Sequence, residues 1–346
     1  MCNIAGYIGS RQAAPILIDM MRKEQGFYGG YFSGIATIHE GKIHYAKVMG
    51  DLDELLRRTD AASLPGTAGI IHSRTNSGGT DSWAHPFVGI KDGEVRTAYV
   101  ANGILGEFSP RGSDMAAVAE DLIRDGYELQ VMEKTEKDFY LTLSDGMVAH
   151  VSDVMCQMML KSVMSGMPAA EAIGDTFCRC PLEAVGLLLC TDCVDSISFA
   201  KINMPMSVSH APHGMYLAST AMAMPGDAGT PHQIPANSYG TVTASGISVF
   251  PLPNPPSKVA AIDAGITLRA FDIITARLRE QPLMFKEIAH TFDEVFEEEG
   301  CLPREVLTYD ILYALDKQGR LIKDLQYLPG AAPGLVAPKF FMSLKD

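Results

Sequence analysis

Along the first 250 residues the apolar positions change period repeatedly. Short apolar or alternating runs, bounded by glycine or polar turn residues, predict strands near 3–8, 33–39, 42–48, 67–72 and 95–101. Glu40-Gly41 between the second and third predicts a hairpin turn. Helical spacing marks 11–25, 113–125, 153–164 and 168–178, with Ser10, Ser113 and Asp153 as start signals. Further strands are expected near 184–190, 195–201, 214–219 and 238–250, and an extra hairpin joins Phe139–Leu143 to Met147–Val151 through Asp145-Gly146. Hairpins dominate over regular strand–helix alternation, which argues for antiparallel sheets covered by helices, an α+β class.

The pattern then breaks. Pro251, Pro253, Pro255 and Pro256 fit neither a helix interior nor a central strand, so 251–261 reads as an extended linker between a domain at 1–250 and a module at 262–346. In the module, Ile288, Phe292, Val295 and Phe296 share one helical face and Leu307, Ile311, Leu312 and Leu315 another. After Gly319, Leu321-Ile322 and Leu325 suggest a small hairpin. Three helices and a hairpin resemble a winged helix. Between 263 and 328, however, thirteen acidic residues face eight basic ones, which favours protein contact over DNA.

Composition narrows the function classes. A chain of 346 residues with 47% hydrophobic content can bury a full core, and its formal charge of −13 would repel a phosphate backbone, so no nucleic-acid partner is expected. No apolar run is long enough for a membrane span, and Gly9 to Gln12 interrupt any leader-like segment early, so no membrane partner and a cytoplasmic location are expected. Seven cysteines, unevenly spread, read as thiols. Cys178, Cys180, Cys190 and Cys193 have paired spacing without a supporting metal-site pattern, and Gly78-Gly79 lacks the lysine of a phosphate loop; no cofactor or metal is expected.

The candidate chemistry starts at Cys2. Methionine before a small residue is normally removed, leaving an α-amine beside a thiol. That amine, with an ordinary pKa near ~8, can take the thiol proton and make a self-contained nucleophile and base. Four segments follow in order: Cys2-Asn3-Ile4-Ala5-Gly6-Tyr7-Ile8-Gly9, then Gly66 to Arg74 ending in His72-Ser73-Arg74, then Ala84-His85-Pro86-Phe87, then Val100-Ala101-Asn102-Gly103-Ile104. Together they resemble class II glutamine amidotransferases, whose glutaminase domain also occurs in glucosamine-6-phosphate synthase.

The resemblance implies a four-layer αββα amino-terminal nucleophile hydrolase sandwich over about 2–250. It also implies release of ammonia from L-glutamine through a γ-glutamyl thioester on Cys2. Asn102 and the Gly103 N–H would stabilise the oxyanion, and Arg74 would clamp the glutamine α-carboxylate. For the α-ammonium the family uses an aspartate near a helix start; Asp153, after Ser152, is the match, with Asp145 as rival. The family's arginine and aspartate in an Arg-Gly-Tyr-Asp-Ser run are replaced in Tyr28-Gly29-Gly30-Tyr31-Phe32-Ser33-Gly34. Thr75-Asn76-Ser77-Gly78-Gly79 replaces the family's lid residues, with Ser77 standing in for a threonine. The tail is too short and too helical for a sugar isomerase or phosphoribosyltransferase, which puts any ammonia acceptor on another chain, a separate synthase subunit. The competing reading is a degenerate glutamine-binding sensor or interaction module without turnover.

Overall fold

The computed structural model describes residues 1–76, 78–103, 115–134, 141–180, 185–255, 259–291 and 303–345. Strands β1 (Asn3–Gly9), β2 (Phe32–His39), β3 (Lys42–Met49), β4 (Ala68–Arg74), β5 (Phe87–Lys91) and β6 (Glu94–Asn102) are joined by helices α1 (Ala13–Glu24) and α2 (Leu52–Arg58). Helix α3 (Met115–Arg124) and a short hairpin, β7 (Leu141–Thr142) with β8 (Val148–Ala149), lead to α4 (Val151–Met164) and α5 (Ala169–Arg179). Then come β9 (Val185–Cys190), β10 (Ile197–Lys201), β11 (Ser207–Ala211), β12 (Gly214–Ala218), β13 (His232–Gln233), β14 (Ser238–Thr243) and β15 (Gly246–Pro251).

Two antiparallel sheets result, one in the order β13-β11-β12-β1-β4-β2-β3 and the other β15-β14-β10-β9-β6-β5. β1 lies centrally in the first, pairing with β4 through Asn3↔Ser73 and with β12 through Ala5↔Ala218. Its residues are buried almost throughout, as expected of a strand covered on both faces. Ile4, Ile8, Ile70 and Leu217 from this sheet meet Val100, Leu187, Leu188 and Ile197 from the other in one core. Gly6 keeps the two sheets close, since a Cβ there would lie 3.1 Å from Leu217 and 3.2 Å from Leu187. On the outer face of the first sheet, Leu17, Met20 and Met21 of α1 pack with Ala5, Ile35 and Ile71. α4 and α5 cover the second sheet, Met155, Met159, Ile173 and Phe177 joining its core. The layering is helix, sheet, sheet, helix.

Most expected elements form close to their predicted limits. α2 was not predicted: its seven residues are too few to show helical periodicity, and it is set by the Asp51 side chain accepting from Glu54 N. β5 and β11, five residues each, were also missed, and 238–250 is a hairpin of two strands. Of the start signals, Ser10 and Asp153 are not caps. α1 begins behind Gln12 without a side-chain cap, while His150 Nδ1 accepts from Ser152 N and Asp153 sits inside the first turn of α4. Ser113 and part of the predicted 139–151 hairpin, Phe139 included, lie outside the described residues.

Beyond the prolines come α6 (Ala264–Glu280), α7 (Phe285–Ala289), α8 (Arg304–Lys317) and a hairpin of β16 (Leu321–Pro329) with β17 (Val336–Leu344). Leu307, Ile311, Leu312 and Leu315 are buried as their spacing predicted, with Ile288 beside them. Phe292, Val295 and Phe296 lie outside the described residues. This third core also takes in Phe27 and Tyr28, and Phe27 meets Phe285, Tyr309 and Phe340 edge-on or tilted, at centroid distances of 5.9, 5.5 and 5.0 Å.

Candidate active site around Cys2

Cys2 immediately precedes β1, and Asn102 closes β6 of the opposite sheet, so the sandwich brings together residues a hundred positions apart. Cys2 N donates to Asn102 Oδ1 at 2.7 Å. That bond sets the amide's orientation: with the oxygen committed to the main chain at Cys2, Nδ2 is the donor end, and it donates to the Met1 thioether at 3.8 Å. Asn102 is fully buried and Gly103 follows it half-buried. The Cys2 Sγ lies 4.0 Å from Thr75 Oγ1, at the end of β4.

Beneath these ends the two sheets are tied by a histidine. His72 Nε2 is 2.9 Å from Ala101 O, and because a carbonyl can only accept, Nε2 carries the proton. His72 stacks on His85 at 4.0 Å, and His85 and Phe87 both lie against His150. Burial pushes the His72 imidazole down to about 3 and depresses His85 and His150 well below the ordinary value, so this cluster is neutral. It is a packing element that carries β4 and β6 to the site.

Arg74 does not face open solvent. It is 3% exposed, Nη1 donates to Gly78 O at 3.0 Å, and the guanidinium lies 4.8 Å from the Phe32 ring centre and 5.9 Å from that of Trp83. In this conformation it holds the chain that runs on from Thr75. Ser77 lies outside the described residues.

Asp153 is 0% exposed and its carboxylate is engaged from both sides. Oδ2 accepts from Gln130 N at 2.5 Å and Val131 N at 2.9 Å, and Oδ1 from Gln157 Nε2 at 3.3 Å. Burial raises its pKa to about 6, against the lowering by those bonds and by Lys47. Lys47 in turn donates to Ser82 O, Pro86 O and Gln130 Oε1. Here Asp153 secures the 130–131 segment. Its rival Asp145 sits exposed in the β7–β8 turn, accepting from Met147 N. The structure thus joins Cys2, Asn102 and Gly103 at one point, while the Asp153 and Asp145 carboxylates accept from nearby N–H groups.

Beside Cys2 opens a cavity of about 550 Å³, lined by Met1, Tyr31 and Thr75 from the sandwich and by Lys286, Glu305 and Lys339 from the C-terminal region, among others. Sequence reading missed these C-terminal contributors, because nothing in local spacing couples residues some three hundred positions apart. Among the described residues no group of His, Cys, Asp and Glu is arranged to hold a metal, and no helix is long and apolar enough to cross a membrane.

No family model matches the chain. Among curated proteins it is 31% identical over 227 residues to a glutamine–fructose-6-phosphate aminotransferase of Mesorhizobium japonicum, covering 65% of this chain and 32% of that one. A Bartonella quintana protein of the same name is 24% identical over 332 residues, covering 95% of this chain and 47% of the relative. One of Pyrococcus horikoshii reaches 40% over 111 residues, 31% of this chain and 18% of that one. The chain carries a class II glutamine amidotransferase domain. It spans about a third to a half of the first two relatives.

The class II domain places the chain in an enzyme family, and its fold agrees with solved structures. The glutamine phosphoribosylpyrophosphate amidotransferase of B. subtilis superposes with a TM-score of 0.58 at 14% identity, over 93% of this chain and 66% of that one. An allosteric regulatory enzyme of purine biosynthesis gives 0.59 at 13% identity, over 99% and 71%. At such identities these two speak for the fold alone.

Proposed function

We propose that this domain is a glutaminase in which Cys2 attacks the side-chain amide of L-glutamine, ammonia leaves, and water resolves the γ-glutamyl thioester to glutamate. The observation that carries this is the 2.7 Å bond from Cys2 N to Asn102 Oδ1, which locks nucleophile and amide donor into one unit. In this reading Asn102 Nδ2 and the Gly103 N–H receive the oxyanion. Met1 stands in the way twice: it blocks the Cys2 amine, and its thioether occupies the Nδ2 donor. Its removal supplies the base and vacates the oxyanion position together. Arg74 fixes the segment beside Thr75.

We assign the glutaminase to 1–250, the linker to 251–261 and a helical, winged-helix-like unit to 262–346, working in the cytoplasm with an ammonia acceptor on another chain. The buried Asp153 carboxylate and the Arg74–Gly78 bond favour a second reading, a glutamine sensor without turnover. Peptide mapping after treatment with a diazoketone analogue of glutamine, alongside an ammonia-release assay, separates the two. Labelling at Cys2 alone with glutamine-dependent ammonia release is expected. Labelling spread over Cys178, Cys180 and Cys193 with Cys2 untouched removes the enzyme, and glutamine binding without ammonia leaves the sensor.

A further inference from the structure

The outer strand of the C-terminal hairpin has one unused edge. Among the described residues β16 pairs with β17 alone, and their two-stranded sheet joins neither of the larger ones. Every β16 side chain from Ile322 to Tyr327 is exposed, with Ile322 at 39%, Leu325 at 45% and Tyr327 at 55%. A long regular edge carrying apolar side chains is a template for a further strand unless a proline, a bulge or a covering element blunts it. β16 has a proline only at its end, Pro329, and its nine-residue register with β17 runs without a bulge.

The register fixes which main-chain groups point outward. Phe340 N donates to Gly26 O, and Met342 exchanges both of its bonds with Leu283, so these two residues turn their main chain away from β16. In an antiparallel ladder, directly opposed residues either bond each other or both face away. Their partners Leu325 and Lys323 therefore present N–H and C=O at the free edge, and Tyr327 does so by alternation. This outward set is symmetric about Leu325. A second β16 laid antiparallel on the edge, with Leu325 opposite itself, would bond all three residues to their counterparts. The same register sets Lys323 beside Tyr327 of the second copy, Ile322 beside its Leu328 and Asp324 beside its Gln326. Each contact is favourable: a cation on a ring, two apolar chains, a carboxylate with an amide donor. Centring the pair on Lys323 or Asp324 would instead oppose like charges. Centring it on Gln326 would set Lys323 against Pro329, which has no N–H.

We propose that β16 is a homodimer contact: two copies of this chain join edge to edge about a two-fold axis at Leu325, forming a four-stranded antiparallel sheet in the order β17-β16-β16-β17. The contact is self-complementary, as a two-fold interface requires. It follows from the hairpin and is independent of the chemistry at Cys2.

Sedimentation of the full chain over a range of concentrations should show a dimer that dissociates on dilution. Leu325→Arg brings two cations together on the axis and should raise the dissociation constant by about 100-fold. Leu325→Pro removes an outward N–H without touching the β16–β17 ladder, and should weaken the dimer by about tenfold or more. Both should keep native circular dichroism, since Leu325 is 45% exposed. Oxidative cross-linking reads the register. Leu325→Cys should yield an intermolecular disulfide, its Cα atoms lying about 5.5 Å apart across the axis. Ile322→Cys, about 20 Å from its own counterpart, should not. Peptide mapping assigns the bridge to position 325, and the cross-linking pair still decides if either of the first two variants misfolds. A chain that stays monomeric would leave the edge to a strand of another protein, and a dimer unmoved by Leu325→Arg would place the contact elsewhere. Either result, or equal cross-linking at positions 322 and 325, overturns the proposal.

Discussion

Asn102 does two jobs through opposite ends of one amide. Its oxygen receives the Cys2 N–H, and in the proposed glutaminase its nitrogen would face charge that appears only in the tetrahedral intermediate. Asn102→Ala should therefore lower turnover by about 10²–10³-fold with little change in KM, the signature of an interaction made in the transition state. Steady-state kinetics on the variant, with iodoacetamide labelling to show that Cys2 is still accessible, checks this. A rise in KM at unchanged kcat would move Asn102 from the oxyanion to the ground state. Arg74 shows why the residue type alone does not settle a role: the same guanidinium that would clamp a carboxylate is here stacked on Phe32 and bound to Gly78 O.

At the scale of elements, the C-terminal hairpin and α8 belong to the site although they follow the proline-rich stretch. Asn3 shows the coupling: Oδ1 accepts from Tyr28 N and Gly29 N, and Nδ2 donates to Tyr309 OH on α8. The residue after Cys2 is thus held by the C-terminal unit. A chain ending at Asn254 should still fold, because the two main cores contain no residue beyond Leu252. It exposes Phe27 and Tyr28, however, and removes Lys339 and Glu305 from the cavity. The expected result is native-like circular dichroism with a lowered melting temperature and a weakened response to the glutamine analogue. Full analogue reactivity in the truncated chain would make the C-terminal unit dispensable.

For the whole molecule, three buried lysines make stability depend on pH in an uncommon direction. Burial lowers Lys201 to about 7 and Lys47 and Lys339 to about 8, from an ordinary 10.5. In the unfolded chain they keep their protons to the ordinary value, so above about pH 7 unfolding takes up protons and stability rises with pH. Urea midpoints should increase between about pH 7 and about 9.5, and less steeply in Lys201→Met, whose parent ammonium donates to Ile234 O at 2.6 Å. A midpoint that falls over this interval would show that the lysines stay charged and well compensated. On the acid side the depressed histidines act in the same sense: their contribution is complete above about pH 6.5 and declines as pH falls toward the folded value, about 3 for His72.

Much of this was readable in the chain. The strand of Cys2, the strand ending in Arg74 and the one ending in Asn102 were legible because local periodicity and glycine punctuation report on short-range backbone preferences. The order of the four motifs pointed to the family for the same reason, each being a contiguous stretch. Asp153 was misread as a helix start because residue type and position along the chain do not say which backbone N–H groups a carboxylate will meet; Gln130 and Val131 come from another segment. Lys339, Glu305 and the neutral histidine cluster were invisible for a related cause. The neighbours of all of these, and the charge states of Lys339 and the histidines, arise from burial and from contacts between distant segments, which exist only once the two sheets and the C-terminal hairpin have packed together. The sequence determined the sandwich and the strand that Cys2 precedes; tertiary packing decided which charged side chains lie near that cysteine.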